Sequence, residues 1–551
     1  MRTDTSFRMV AHVVVVVALT SSGLAGRGGT DTGEVSVTVH EPESRTPLPC
    51  RVWVTVGGQR VFNPVGESCI PYAKDRSFSC DGRFTINVPA GEAVIHVERG
   101  KEYLPVEKQI IVSQGQKIEV DIALKRWVNM AEEGWYSGDL HCHFGVGDLA
   151  VLKQLALADD VNFEPVSTLW NHQRSSLSDK VWPDWPTGPS VYADKTHLVT
   201  LRNEEIERIG GGPFESIGAL LMFGLSRPVE MPLRNGRHPC DAVLGQFAKS
   251  NSPECVIDTD KPIWGQNVVG VALGLFDCVQ VCHNHYHREA TIPVGWGMAA
   301  PDIEDRNEDW DADELFWRTN LTYYRFLNCG FKLAATGGSA MGVMPVPLGY
   351  NRTYAKLNGP LTEANYLAAI RAGRTFATSG PILILTANGF DCGSEIQCSA
   401  DTGKPIVVKA RLRSSQPIDS LEVIHNGNVI EKVDLRSLRV TRAWEKSITL
   451  KLNPERSGWV AARAIFTAPD GHLRQAHTSP VYITVDAKPT ASMRDAECMI
   501  RWIDRLVRVA NKPGRYESDE HRDETLAMFK KAKQVYVKIA RTATEHWQED
   551  P

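Results

Sequence analysis

The chain has 551 residues, 42% of them hydrophobic and 23% charged. Those shares match soluble folded proteins, so disordered and fibrous classes are excluded, and the length is too great for one core. The formal net charge of -5 argues against a nucleic-acid or anionic-membrane partner, which would favour a basic face.

Arg2 and Arg8 precede an apolar run, Met9 to Leu19, with five consecutive valines; Gly23 and Ala25 follow. This reads as a secretory signal cleaved after Ala25, with an uncleaved anchor as the alternative. It predicts an exported protein in the periplasm, at the cell surface or outside the cell. Later segments are too short to span a bilayer; Val268 to Phe276 comes nearest. Residues 33–127 alternate polar and apolar in short runs, as in Val35-Val37-Val39 and Val52-Val54-Val56, which predicts a β-sandwich. The segment resembles the carboxypeptidase-regulatory-like modules that precede exported enzymes.

Residues 128–385 change character. Short strand-like runs end in polar clusters and lead into helical stretches, as Gly138–His143 leads into Leu149–Ala158. Alternating β and α units imply a parallel sheet or barrel. Residues 386–488 return to strand alternation and predict a second β-sandwich. Residues 489–551 carry two helical stripes, Met499, Trp502, Ile503, Leu506 and Val507 after Ser492, and Leu526, Phe529, Tyr536 and Ile539 after Ser518. These predict helices docked on the body. Among twelve cysteines there is no CxxC pair, so a cysteine zinc site is not expected. Export would permit disulfides, and Cys69–Cys80 is the expected one; Cys392 and Cys398 are also near each other in sequence.

Eight of the sixteen histidines lie between His141 and His287. On a strand, Asp139, His141 and His143 share one face while Leu140 and Cys142 turn into apolar packing. Two imidazoles on one face at a strand end can grip a divalent ion. Asp139 could orient an imidazole through its second nitrogen. His283, His285 and His287 alternate in the same way, and Arg288 could clamp an anionic substrate group. His172 and His197, near strand ends, are weaker candidates.

The segment GWYSGDLHCH resembles the opening motif of the PHP (polymerase and histidinol phosphatase) metal hydrolases, and more narrowly of the CehA/McbA-type metallohydrolases. LRNEEIERIG, DKPIW, HNHYHR, FLNCGFKLAATGGSAMG, LGYNRTY and AIRAGRTFATSGP follow in the same order over residues 130–385. The resemblance implies a multi-domain protein with a central distorted β/α (PHP-like) barrel between the two sandwiches. It also implies metal-dependent hydrolysis of ester-like bonds. Glu205 matches the family's metal-ligand glutamate, with Glu204 as fallback. Two motifs depart: Thr168-Leu169-Trp170-Asn171 stands for TDHN, and Gly338-Ser339-Ala340-Met341-Gly342 for GSDxH.

The leading expectation is a mononuclear hydrolase. His141, His143, Glu205 and His285 would hold one divalent ion (zinc, manganese or iron), with Glu204 or His283 as base and Arg288 on the substrate. The substrate would be a small-molecule or polymer-derived ester, carbamate or phosphoester. The alternative is a catalytically degenerate surface protein that binds carbohydrate or another protein. A lyase on a similar barrel is a third reading.

Overall fold

The computed structural model describes residues 31–61, 64–66, 68–143, 149–170, 173–174, 190–208, 218–229, 240–293, 310–402, 404–512, 516 and 518–546. The expected signal segment lies outside them. The fold is multi-domain and mostly β, with several sheets and few helices.

The N-terminal unit is two facing sheets. One is ordered Lys117–Ala123, Thr32–His40, Arg83–Pro89, Pro64–Val65; the other runs Ile70–Tyr72, Ser77–Cys80, Cys50–Val56, Gly91–Glu98, Val106–Val112. Alternation along Thr32–His40 buries Val35, Val37 and Val39, which join Val52, Val54 and Ile95 in one core. The side-chain period of two thus makes this part of the sequence legible.

In the central region, Trp135–Gly138 pairs in parallel with Phe163–Trp170, which pairs in parallel with Leu198–Arg208. Gly218–Phe223 then runs antiparallel between Leu198–Arg208 and Val256–Asp258. Val256–Asp258, Cys278–Cys282 and Ala334–Gly337 are again mutually parallel. The expected barrel is therefore not reproduced as such: strand direction is mixed, and no closed barrel is found among the described residues.

Thr375–Thr378 pairs with Leu473–Thr478, which carries the central sheet into the C-terminal unit. There Ile382–Ala387, Ile406–Ser414 and Trp444–Leu452 form one sheet over a core with Val423, Val460 and Ile483. The tail is two helices, Met493–Ala510 and Asp519–His546. The Ser492 side chain accepts from the backbone N–H of Asp495 at the first helix start, as an N-cap should. Trp502 donates to the Gly265 carbonyl at 2.9 Å, and the Tyr536 hydroxyl to the Val268 carbonyl at 3.0 Å. The apolar stripes are thus spent on the central region. No helix among the described residues is long and apolar enough to cross a membrane.

Candidate metal centre

The strand Trp135–Gly138 ends just before the histidines. Leu140 and Cys142 are fully buried in two separate apolar cores, which turns His141 and His143 to the opposite side together. The backbone N–H of His143 donates to the Met341 carbonyl at 2.8 Å. Asp139 holds the loop rather than an imidazole. Its carboxylate accepts backbone N–H groups from His141 (3.1 Å), Ser339 (2.9 Å) and Gly349 (2.7 Å). The orienting role expected of it is therefore not its role. Gly338 packs so tightly that a Cβ there would lie 2.5 Å from the His141 Cβ and 2.8 Å from its nitrogen.

Nε2 of His141 and Nε2 of His143 are 2.9 Å apart. Glu205 Oε2 lies 2.7 Å from His143 Nε2, and Glu205 Oε1 lies 3.5 Å from His141 Nε2. All three side chains are buried, and their ligand atoms fall within 4.8 Å of one another. Tetrahedral ligands about 2.0–2.1 Å from a zinc-sized ion sit roughly 3.3 Å apart, so the spacing fits one first-row divalent cation. Glu205 Oε2 approaches His143 closely yet has no hydrogen bond of acceptable geometry. That is how two ligands converge on a third party. The arrangement could bind a metal ion, of an identity that nitrogen and oxygen donors do not select.

Burial pushes the His141 imidazole down, but Glu205 and Asp260 outweigh it and lift His141 to about 10. Burial pushes Glu205 up, while His143 and His141 pull it to about 2. His141 and Glu205 thus hold each other as an ion pair, and an ion bound there would displace the His141 proton. Glu207, two residues along the same strand, is raised to about 8 by burial and by Glu205. Its carboxylate accepts from Trp170 Nε1 at 3.2 Å. The Trp170 ring packs on His143 at 4.9 Å, where the TDHN pattern would place ligands.

Asp260 was not singled out for this role by the sequence. Its Oδ1 lies 3.2 Å from His141 Nδ1, and its Oδ2 accepts from Lys261 Nζ and, at 3.1 Å, from Trp264 Nε1. Asp260 has φ +54, a left-handed conformation that aspartate tolerates better than most residues, and its N–H is held by Asp258 Oδ1 at 2.9 Å. The only signal was its place at the head of DKPIW.

The other expected residues are placed differently. Glu204 neighbours Glu205 on the strand and so faces the other way, where its Oε2 accepts from the Val229 N–H at 2.8 Å. It is not positioned as a base at the group. Arg288 pairs with Glu98 of the N-terminal sandwich and lies over the Trp53 ring at 4.7 Å; it joins domains instead of facing the group. His283 Nδ1 accepts from the His285 N–H at 3.3 Å, and its Nε2 meets the Thr319 hydroxyl at 3.2 Å. His285 Nδ1 donates to the Ile292 carbonyl at 3.0 Å, and His287 Nε2 to the Asn284 carbonyl at 3.0 Å. Burial, then Lys261, holds His283 and His285 well below the usual range, so both are neutral. His285 is not part of the three-residue group. His197 is engaged by Asp194 and Asp160. His172 lies outside the described residues. Cys80 faces Cys50 across paired strands, with sulfurs 3.6 Å apart.

No protein-family model, curated protein or solved structure matches the chain.

Proposed function

We propose that the protein is a metal-dependent hydrolase with one ion per chain, held by His141, His143 and Glu205. The observation that carries this is the buried convergence of two imidazole nitrogens and a carboxylate, 2.7 to 3.5 Å apart. When bound, such an ion polarises an ester or phosphoester oxygen and acidifies a water. The chain's own residues hold and shape the site. Asp260 fixes the His141 ring through Nδ1, which leaves Nε2 for the ion. Trp170 walls the His143 side. Three protein ligands leave coordination positions open, the pattern of catalytic rather than structural sites. The motif likeness to the CehA/McbA-type hydrolases supports this reading, and the substrate class it favours is an ester, carbamate or phosphoester.

The test is to strip the purified chain with chelator and reload it separately with zinc, manganese and iron. Elemental analysis is followed by assay on p-nitrophenyl acetate and bis(p-nitrophenyl) phosphate. The reading expects one ion per chain and turnover that His141→Ala/His143→Ala abolishes with the fold intact. No retained ion overturns it. An ion without turnover of either probe moves the assignment to a degenerate binding protein. That second reading is favoured by Trp170, Ala340 and Gly342, which stand where further ligands would be and cannot coordinate through their side chains.

A further inference from the structure

A separate cavity of about 230 Å³ lies where the three large units meet. The N-terminal sandwich contributes Trp53, Glu98 and Lys101 to its wall, the central region Arg288, Tyr350 and Arg352, and the C-terminal sandwich Gln416. None of His141, His143, Glu205 or Asp260 lines it, so a ligand in this cavity is independent of the hydrolase reading.

The charges around this cavity do not balance. Two carboxylates line it, Glu98 and Asp159. Glu98 is taken by Arg288. Asp159 is gripped through both oxygens by the buried Arg51, at 2.7 and 2.5 Å. Arg352 spends its donors on carbonyls of Gly349, Asp160 and Asp159, at 2.6, 3.1 and 3.1 Å. Lys101 has one hydrogen bond, to the Ser379 carbonyl at 2.8 Å, and lies over the Tyr350 ring at 4.5 Å. Nη1 of Arg288 is buried with no hydrogen-bond partner. Two cations, Lys101 and Arg352, therefore have no carboxylate of their own, and one guanidinium nitrogen has no acceptor. Buried charge left in that state is costly. Burial, Arg352 and Arg288 together press Lys101 down to about 7, which an anion beside it would reverse.

We propose that this junction is a binding site for a small anion, a carboxylate or a phosphate. Lys101 Nζ and Arg288 Nη1 bind its oxygens, and Trp53 and Tyr350 form the walls. The volume is below the roughly 300–1,000 Å³ of sites for drug-sized ligands, so the occupant is a small molecule or a single anionic group. Because all three units supply wall residues, a bound anion would also tie them together.

The experiment is titration calorimetry on the full chain, stripped of metal by chelator so that an ion cannot recruit the anion. Inorganic phosphate and benzoate are the probes, which separates the two anion classes. At least one should bind with a stoichiometry of one. Lys101→Met, which keeps the aliphatic stem and removes an unpaired cation, should weaken that binding by about tenfold or more. It should also raise Tm in anion-free buffer and abolish the rise in Tm that the anion gives the natural chain. Gln416→Trp fills the cavity from the opposite unit, leaves both cations in place, and should block binding. Failure of both probes to bind, or binding that neither substitution weakens, would overturn the proposal.

Discussion

Asp260 Oδ1 accepts from Nδ1 of His141 at 3.2 Å, across 119 residues of chain. Because Asp260 is itself fixed by Lys261 and Trp264, the His141 ring orientation is set before any ion arrives. An imidazole that gives Nδ1–H to a carboxylate directs Nε2 at Glu205 and His143, and a metal would take the place of the Nε2 proton. Asp260→Asn keeps the shape and removes the charge. It should lower metal affinity by about 10- to 100-fold, read by competition with a chromophoric chelator. An affinity equal to the natural chain's would show that Asp260 serves Lys261 and Trp264 and not the ion.

Gly338 is needed for contact rather than for conformation, since its backbone is not left-handed. Gly338→Ala puts a methyl 2.5 Å from the His141 Cβ, against a strand end that has no room to move. The substitution should cost about 1–3 kcal/mol, as overpacking does, and lower metal occupancy. A melt and an elemental analysis on the same sample check both. Unchanged values for the two would mean that the loop carrying Gly338 moves freely away from His141.

The legible and illegible parts of the sequence divide by range. His141 and His143 could be placed together because two residues apart on extended backbone means one face, a local rule. Glu205 came from motif order, and the two sandwiches from alternation. Asp260 was hidden because its role depends on a left-handed turn and on a partner 119 residues away. The histidines at 283, 285 and 287 lie outside the group of His141, His143 and Glu205. Four of their ring nitrogens serve Ile292, Asn284, Thr319 and one another, contacts that residue spacing alone does not reveal. Adjacent Glu204 and Glu205 look equivalent in sequence, and only the strand's two faces distinguish them.

The disulfide expectation changes with the register. Cys50 and Cys80 are direct partners on antiparallel strands, with sulfurs 3.6 Å apart. In an oxidising compartment Cys50–Cys80 should be the bond that forms, not Cys69–Cys80. Closing a loop of that length contributes about 3.5 kcal/mol on chain entropy. Non-reducing peptide mapping of protein from an oxidising host should recover the Cys50–Cys80 pair. Recovery of both thiols free, or of Cys80 joined to Cys69, would contradict it.

His197 gives the pH dependence its sign. Its Nδ1 lies 2.8 Å from Asp194, and its Nε2 lies 3.4 Å from Asp160, which also meets Arg99 at 3.3 Å and Arg126 at 3.0 Å. Burial pushes His197 down, but the two aspartates win and raise it. Burial pushes Asp194 up, but His197 pulls it to about 2, and Asp160 is likewise held well below its ordinary value, chiefly by Arg99. A raised histidine contributes stability that is complete below the unfolded value of about 6.5 and is lost as pH climbs through the folded value. Depressed aspartates contribute above about 3.9 and lose that contribution as pH falls. The network should therefore be strongest between about pH 4 and 6.5. The Tm gap between the natural chain and His197→Gln should be widest near pH 5.5 and should narrow by pH 9. Metal content should be equal in the two proteins, because His197 is spent on the aspartates. A gap of the same size at both pH values would show that His197 is neutral throughout, and a loss of metal would make it a ligand after all.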